Sequence, residues 1–144
     1  MKALRIGIVG AGGMGMIHAA AISKLGEFEL AGLCDVDHEK VEAAAGKIGV
    51  PAFTDHAELV RADRLDAVLV ATPHYFHPLV VAHAFANGVH VMCEKPIAVH
   101  VRDAQRMIDA HAGSGLRFGV MFQRRTDPLF RTVHELVASG ALGE

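Results

Sequence analysis

A glycine-rich segment near the amino terminus, Gly10-Ala11-Gly12-Gly13-Met14-Gly15, constrains the fold more than any other part of the chain. It follows a short apolar run over residues 3–9 and precedes a helix-like segment that begins at Met16. A strand, a G-x-G-x-x-G loop and a helix in this order are typical of the βαβ unit that binds a dinucleotide. The pattern therefore predicts a parallel α/β fold with a phosphate loop (residues 10–15) after the first strand.

Each residue of the phosphate loop has an expected role. Gly10 permits the tight turn after the strand, and Gly12 lacks a side chain where the pyrophosphate must approach the backbone. Gly15 lets the helix pack close to the sheet, while the unpaired N–H groups at the start of the helix face the anion. Gly13 and Met14 complete the loop, and we expect the Met14 side chain to point away from the pyrophosphate.

An acidic residue stands where such folds recognise the adenosine ribose. Asp35 closes a second apolar run, residues 30–34, about twenty residues after the phosphate loop. Its carboxylate is expected to accept hydrogen bonds from both ribose hydroxyls, and it would repel the 2′-phosphate of NADP. Val36 offers no cation to such a phosphate, although His38 and Lys40 are close enough in sequence to leave NADP open. We expect NAD as the cofactor, with NADP less favoured.

Strand-like and helix-like segments alternate along the whole chain. Apolar runs with β-branched residues predict strands. Helices are predicted for the segments between them, several of which are stopped by a glycine at their carboxyl end. The predicted strands cover residues 3–9, 28–34, 52–53, 67–71, 89–93 and 117–122. The predicted helices cover residues 13–25, 41–48 (opened by residues 37–40, with Asp37 as N-cap), 55–61, 78–87, 101–112 and 127–139. This alternation predicts a doubly wound parallel sheet with helices on both faces, in one dinucleotide-binding domain over residues 1–144.

The composition argues against several classes of protein. The net charge is −2 with neutral histidines, so we expect no basic face for nucleic acid. No apolar run reaches membrane-spanning length, and the first predicted strand leaves no room for a signal peptide. Cys34 and Cys93 lie at predicted strand ends without a Cys-x-x-Cys spacing, which predicts reduced, partly buried thiols. We expect a soluble cytoplasmic protein with no nucleic-acid or membrane partner.

The ten histidines raise the question of a metal site. His74 and His77 are three residues apart and could share a helical face, but no Cys, Asp or Glu stands near them in the sequence. We therefore expect no metal, and we expect His77 to begin a helix beside the cofactor cleft.

A second group of polar residues follows the fourth and fifth predicted strands. Thr72-Pro73 follows the fourth strand and Glu94-Lys95-Pro96 the fifth, at the sheet edge where open α/β folds bind ligands. The proline favours extended backbone at Lys95, which predicts a turn from which the lysine projects. Beside a nicotinamide, Lys95 could bond a substrate hydroxyl and help to move its proton. Partial burial of the lysine would make this proton transfer easier, and a nearby Glu94 carboxylate would make it harder. The residues alone leave open whether they act in this way or form an ordinary solvated pair.

Several motifs of the chain occur together, in the same order, in one known family. They are residues 10–15, Cys34-Asp35, Ala71-Thr72-Pro73, His77, residues 88–96 and residues 140–144. Together they resemble the amino-terminal domain of the Gfo/Idh/MocA family, named after glucose–fructose oxidoreductase, inositol dehydrogenase and a rhizopine-catabolism protein. The resemblance covers essentially the whole chain and is most specific at Glu94-Lys95-Pro96.

The resemblance implies an NAD(P)-dependent oxidoreductase that transfers hydride to or from a sugar, a cyclitol or a related polyol. In that family the lysine of the Glu-Lys-Pro motif assists proton transfer, which implies that Lys95 is catalytic and lies with Glu94 at the cofactor. The family's Thr-Pro segment lines the cofactor cleft, which implies cofactor contacts for Thr72 and Pro73.

The resemblance adds further cofactor-binding candidates. His77 occupies a family position beside the nicotinamide cleft. Residues 122–125 are similar to a family segment near the nicotinamide, which adds Gln123, where the family often has Asn, and Arg124.

Members of the family continue into a carboxy-terminal α+β domain that supplies most of the substrate pocket. Because this chain has no such segment, the resemblance implies a truncated two-domain oxidoreductase that binds cofactor but is inactive alone. We expect its uncovered apolar surface to cause self-association, and we expect a homo-oligomer. The alternative is a stand-alone dinucleotide-binding sensor or partner module without catalysis, which the reading frame beyond Glu144 would distinguish. A flavin or S-adenosylmethionine site would not account for Glu94-Lys95-Pro96.

Overall fold

The computed structural model contains one six-stranded sheet in which neighbouring strands are parallel. The structure describes residues 2–61 and 65–143. The strands are β1 (Leu4–Val9), β2 (Phe28–Cys34), β3 (Ala52–Phe53), β4 (Ala67–Val70), β5 (His90–Glu94) and β6 (Phe118–Met121). The helices are α1 (Gly13–Ile22), α2 (His38–Ile48), α3 (His56–Leu59), α4 (His77–Ala86), α5 (Val101–His111) and α6 (Pro128–Ala138). Short 3-10 turns at His74–Phe76 and Gln123–Arg125 precede α4 and α6.

The order of the strands across the sheet is β3-β2-β1-β4-β5-β6. The chain builds outward from β1 to β3, returns to place β4 beside β1, and then builds outward again to β6. This order confirms the predicted doubly wound parallel sheet, with its reversal point between β1 and β4. Because the strands are parallel, all of them end at one side of the sheet, here called the carboxyl edge. Open α/β folds bind ligands at this edge, beside the reversal point.

Both faces of the sheet are covered, as predicted. Successive side chains of a strand point to opposite faces. In β1, Ile8 packs into a cluster with α1 and α2 that includes Val41, and Val9 packs into the opposite cluster with Val81 of α4 and Met107 of α5. All five side chains are at most 4% exposed, so the sheet is held between two separate apolar layers.

Several element boundaries differ from the prediction by a few residues. Helix α3 has only four residues, fewer than the seven predicted over residues 55–61. Glu94, predicted in a loop, is the last residue of β5 because it continues the parallel pairing with β6. Asp37 caps α2 as predicted, since its side chain accepts a backbone hydrogen bond from Lys40. Glu144, the end of the closing motif, lies outside the described residues.

The two cysteines are free thiols, as predicted, and both are fully buried where partial burial was expected. Burial, and then the negative charge of Asp55, raises the pKa of the Cys34 thiol to about 12. Burial, and then the negative charge of Glu94, raises the pKa of the Cys93 thiol to about 12. Both thiols therefore stay protonated at neutral pH and are poor nucleophiles.

The last helix, α6, has no buried residue. Its apolar side chains include Leu129 (68% exposed) and Val137 (62% exposed). An amphipathic helix normally buries its apolar face, so this helix lacks the packing partner that its sequence is suited to. None of the helices in residues 2–61 and 65–143 combines the length and the apolarity needed to span a membrane.

Candidate cofactor site

The phosphate loop lies at the reversal point of the sheet. Gly10 has a φ of +104°, and a Cβ at this position would lie 2.5 Å from the carbonyl oxygen of Ala71. A Cβ at Gly15 would collide with the carbonyl oxygen of Gly10. Both positions therefore require glycine, one for its backbone conformation and its close contact with the end of β4, and the other for the close packing of α1 on the loop.

The other two glycines of the loop leave open space. A Cβ at Gly12 or at Gly13 would meet no atom within 4 Å. Gly12 is the N-cap of α1, which has neither a side-chain cap nor an acidic residue in its first turn. The positive end of the helix dipole thus has no acidic side chain in its own first turn, and it faces the open space beside Gly12 and Gly13. This arrangement fits the pyrophosphate of a dinucleotide, and Met14, 41% exposed, stands at its margin.

The carboxylate of Asp35 is held at the end of β2 by three donors. Its Oδ2 accepts hydrogen bonds from the Ala11 amide at 2.9 Å and from the Lys40 ammonium at 2.5 Å. Its Oδ1 accepts from the Asp37 amide at 3.1 Å. Burial alone would raise the pKa of Asp35, but these hydrogen bonds, that of Lys40 foremost, lower it below its usual value. Asp35 is therefore an ionised acceptor beside the phosphate loop, in the place expected for recognition of a ribose.

The turn that presents Lys95, residues 94–96 (the lysine turn), differs from a solvated loop. Glu94 is only 5% exposed. Its Oε1 lies 2.7 Å from Nε2 of His18, and its Oε2 accepts a hydrogen bond from the Lys95 amide at 3.0 Å. The alternative of an ordinary solvated pair is therefore wrong for Glu94, and its carboxylate is occupied by protein groups instead of standing free for the cofactor.

Lys95 itself is exposed at the carboxyl edge. Within the described residues its ammonium forms no ion pair with Glu94. The carboxylate of Glu94 contacts the His18 ring and the Lys95 amide instead of the lysine ammonium, so the lysine side chain remains available to a ligand.

The position of His77 corrects one expectation. His77 begins α4 beside the cleft, but its side chain is fully buried and does not line the cleft. Its Nε2 lies 2.9 Å from the carbonyl oxygen of Thr72, and its Nδ1 lies 3.1 Å from that of Pro96. The imidazole therefore joins the loop after β4 to the lysine turn, which is a supporting role instead of a direct contact with a cofactor.

Comparison with known proteins identifies the family. The model of the Gfo/Idh/MocA family, described as "Oxidoreductase family, NAD-binding Rossmann fold", matches residues 4–122. The chain belongs to this family. The description confirms the predicted family, the predicted fold and the expected cofactor, NAD.

Individual relatives of the chain are longer dehydrogenases. The chain is 35% identical over 142 residues to inositol 2-dehydrogenase of Rubrobacter xylanophilus, a match that covers 97% of this chain and 41% of that enzyme. The crystal structure of scyllo-inositol dehydrogenase from Lactobacillus casei, with bound cofactor NAD(H) and scyllo-inositol, is similar with a TM-score of 0.89 and 32% identity, covering 99% of this chain and 43% of that one. The WlbA dehydrogenase from Bordetella pertussis, in complex with NADH and UDP-GlcNAcA, gives a TM-score of 0.90 and 31% identity, covering 96% and 43%. The chain thus spans about two fifths of the length of these relatives.

The remaining Gfo/Idh/MocA candidates lie along the same carboxyl edge. Pro73 is exposed after β4, and the Thr72 hydroxyl oxygen is buried without a hydrogen-bond partner among the described residues. Gln123 and Arg124 are exposed in the 3-10 turn after β6, next to the strand that ends at Glu94. The Arg124 guanidinium lies 3.4 Å from the carboxylate of Asp127 and packs over the ring of Phe130.

Two contacts of this Gfo/Idh/MocA domain emerge only from the structure. Lys40 is an ion-pair partner of Asp35, although the sequence offered only its proximity as a signal. His18 contacts Glu94 from 76 residues away, and no local pattern predicts such a pair. The expected absence of a metal remains a prediction, and the described residues contain no group of three or more His, Cys, Asp or Glu that could hold one.

Proposed function

We propose that this chain, over residues 1–144, is the cofactor-binding domain of an NAD-dependent oxidoreductase that transfers hydride to or from a cyclitol or a related polyol. The observation that supports this most is the alignment of three features along one carboxyl edge. The phosphate loop follows β1, Asp35 follows β2, and Lys95 follows β5. Across the sheet these strands lie in the order β2, β1 and β5, so a dinucleotide laid across the reversal point would meet a ribose site, a pyrophosphate site and a proton-transfer group in that order.

The proposed roles follow from the chemistry of each group. The open space at Gly12 and Gly13 admits the pyrophosphate against the start of α1. The ionised Asp35 accepts hydrogen bonds from the adenosine ribose, and Pro73, Gln123 and Arg124 border the nicotinamide half. The nicotinamide, when bound, supplies the site at which hydride is gained or lost. Lys95 holds the substrate hydroxyl and exchanges a proton with it.

The substrate class is supported by the relatives. The similar enzymes of Rubrobacter xylanophilus and Lactobacillus casei are inositol dehydrogenases, and a cyclitol offers the secondary hydroxyl that such a reaction oxidises. We favour this enzyme over a stand-alone sensor module, because an exposed Lys95 beside the cofactor edge has no evident use in a module that only binds NAD.

Three further aspects belong to the proposal. The domain alone is expected to bind cofactor without turnover, since a second domain would supply most of the substrate pocket. Because α6 exposes its apolar face, we expect the protein to act as a homo-oligomer. Cytoplasmic location is supported by two thiols that remain unpaired.

The test is a fusion of this chain to the part of the Rubrobacter xylanophilus inositol 2-dehydrogenase that lies beyond the matched region. NADH formation is followed with myo-inositol, scyllo-inositol and glucose as substrates. We expect turnover with an inositol and a loss of turnover in Lys95→Ala with NADH affinity retained. The charge-conserving control Lys95→Arg should also lose turnover, because a guanidinium keeps the positive charge but does not release its proton. A fusion that binds NADH and shows full turnover in Lys95→Ala would contradict the proposed role of this lysine.

A further inference from the structure

A nearly buried pair of side chains connects the phosphate-loop helix to the lysine turn. His18, on the second turn of α1, has a side chain 14% exposed, and that of Glu94 is 7% exposed. Nε2 of His18 lies 2.7 Å from Oε1 of Glu94. The roles proposed above for the phosphate loop and for Lys95 leave this contact without a function.

Because Glu94 is buried, its carboxylate needs hydrogen-bond donors from the protein. A buried carboxylate without donors is strongly unfavourable, because it loses its hydration. Glu94 has two donors: the ring N–H of His18 at Oε1 and the backbone N–H of Lys95 at Oε2. Each oxygen thus has one protein donor, and removal of either donor leaves a buried carboxylate oxygen without a hydrogen bond.

The same carboxylate determines where the lysine turn lies. Its second oxygen bonds the amide of Lys95, so the backbone at the proposed catalytic lysine is tied to the position of Glu94. On the other side, Nδ1 of His77 lies 3.1 Å from the carbonyl oxygen of Pro96. The lysine turn is therefore held from α1 by the partly buried His18 and from α4 by the buried His77.

We infer that His18 is a positioning residue: through Glu94 it holds the backbone of Lys95 so that the lysine turn is preorganised for the nicotinamide half of the cofactor. The inference rests on the proposed function, because it uses the placement of the nicotinamide beside Lys95. It assigns His18 no contact with the pyrophosphate. Loss of His18 should therefore disturb the nicotinamide end of the site and leave the adenosine end intact.

Two ligands separate the two ends of the site. ADP-ribose has the adenosine, both phosphates and both riboses but no nicotinamide, so it engages the phosphate loop and Asp35 and ends one group short of the nicotinamide position. NADH engages these groups and the region of the lysine turn. The ratio of the dissociation constant for ADP-ribose to that for NADH therefore measures the nicotinamide end, and a general loss of folded protein would weaken both ligands together.

The experiment measures both dissociation constants by calorimetry on the 144-residue chain and on three variants. His18→Leu removes the hydrogen bond at similar side-chain volume, and His18→Gln keeps an N–H donor near the same place. Glu94→Gln keeps the shape of the acceptor and removes its charge, and it replaces His18→Leu as the test if that variant does not fold. Urea unfolding of each variant reports its stability.

We expect His18→Leu to reduce the ratio about five- to tenfold. This is less than the effect of about 12- to 150-fold for a hydrogen bond to a charged group, because the loss reaches the cofactor only through the lysine turn. ADP-ribose affinity should stay within about twofold, since none of its expected contacts involves His18. His18→Gln should restore most of the ratio, and Glu94→Gln should reduce it. An unchanged ratio in both His18→Leu and Glu94→Gln, or an equal weakening of both ligands, would overturn the inference. If the unsubstituted chain binds neither ligand, or binds ADP-ribose as tightly as NADH, the proposed placement of the cofactor itself is wrong.

Discussion

Lys40 should determine how strongly this domain prefers NADH to NADPH, and Lys40→Met tests this. The Lys40 ammonium bonds Oδ2 of Asp35, an oxygen that also accepts from the Ala11 amide. The other oxygen accepts from the Asp37 amide. A carboxylate offers about four acceptor positions. A ribose diol that donates two hydrogen bonds therefore finds one position free and must displace the lysine for the second.

The magnitude follows from the charges. A 2′-phosphate at this place would be repelled by Asp35, and only the displaced Lys40 ammonium could compensate. Two unit charges about 4 Å apart interact by about 1 kcal/mol in water and about 4 kcal/mol at an effective dielectric of 20. Because the Lys40 side chain is 42% exposed, the value should lie near the lower end, about 1–2 kcal/mol, or about five- to thirtyfold in affinity.

The assay is a fluorescence titration with NADH and with NADPH. Lys40→Met should weaken NADPH about tenfold, while NADH binds as before or up to about threefold tighter, because the ion pair no longer has to open. Lys47→Met, in the last turn of the same helix, is the matched control and should change neither affinity. If Lys40→Met leaves the preference unchanged, or weakens NADH as much as NADPH, the reasoning is refuted, and the lysine then serves only to orient Asp35.

Three other predictions follow from single contacts or surfaces. Gly12→Val should fold normally, since a Cβ at this position meets no atom of the protein within 4 Å. Its side chain should overlap with the bound pyrophosphate at a cost of about 1–3 kcal/mol, which lowers NADH affinity about five- to 150-fold. An unchanged NADH affinity would remove the phosphate-loop assignment. The Arg5 amide and guanidinium lower the pKa of Asp66 below 3.8, so this carboxylate stabilises the fold above that pH and its contribution is lost as the pH falls through the lowered value. Urea unfolding should accordingly show Asp66→Asn to be less stable at neutral pH and equal to the unsubstituted chain in acid, and a pH-independent difference would count against this. The exposed apolar face of α6 should make the isolated chain self-associate at micromolar concentration, weakened by Leu129→Gln, whereas sedimentation of a clean monomer would argue against this.

The layout of the fold could be predicted from the sequence because each signal was local. The apolar run before Gly10 and the β-branched run of residues 67–71 each read as a buried strand without knowledge of their neighbours. Asp37 could be placed as a cap because capping acts over three residues. Family resemblance then supplied the chemistry at Lys95, which spacing alone had left open.

The parts that could not be predicted depend on contacts between distant residues. Glu94 looks like a loop residue in the sequence, but it is buried and its carboxylate contacts a histidine 76 positions away. His77 looks like a cleft residue for a similar reason, because nothing in the sequence indicates that its ring lies between the carbonyl oxygen of Thr72, five residues earlier, and that of Pro96 in the lysine turn. In both cases the deciding partner came from another element packed against the carboxyl edge.

The most direct test of the central claim is a titration of this 144-residue chain with NADH, followed by the fluorescence of the reduced nicotinamide. The chain has no Trp and one Tyr, so the protein contributes little background. We predict saturable binding of one NADH per chain, competed by ADP-ribose. A signal that does not saturate at any attainable concentration, or that ADP-ribose does not displace, would contradict the assignment of the phosphate loop and Asp35 as an NAD site.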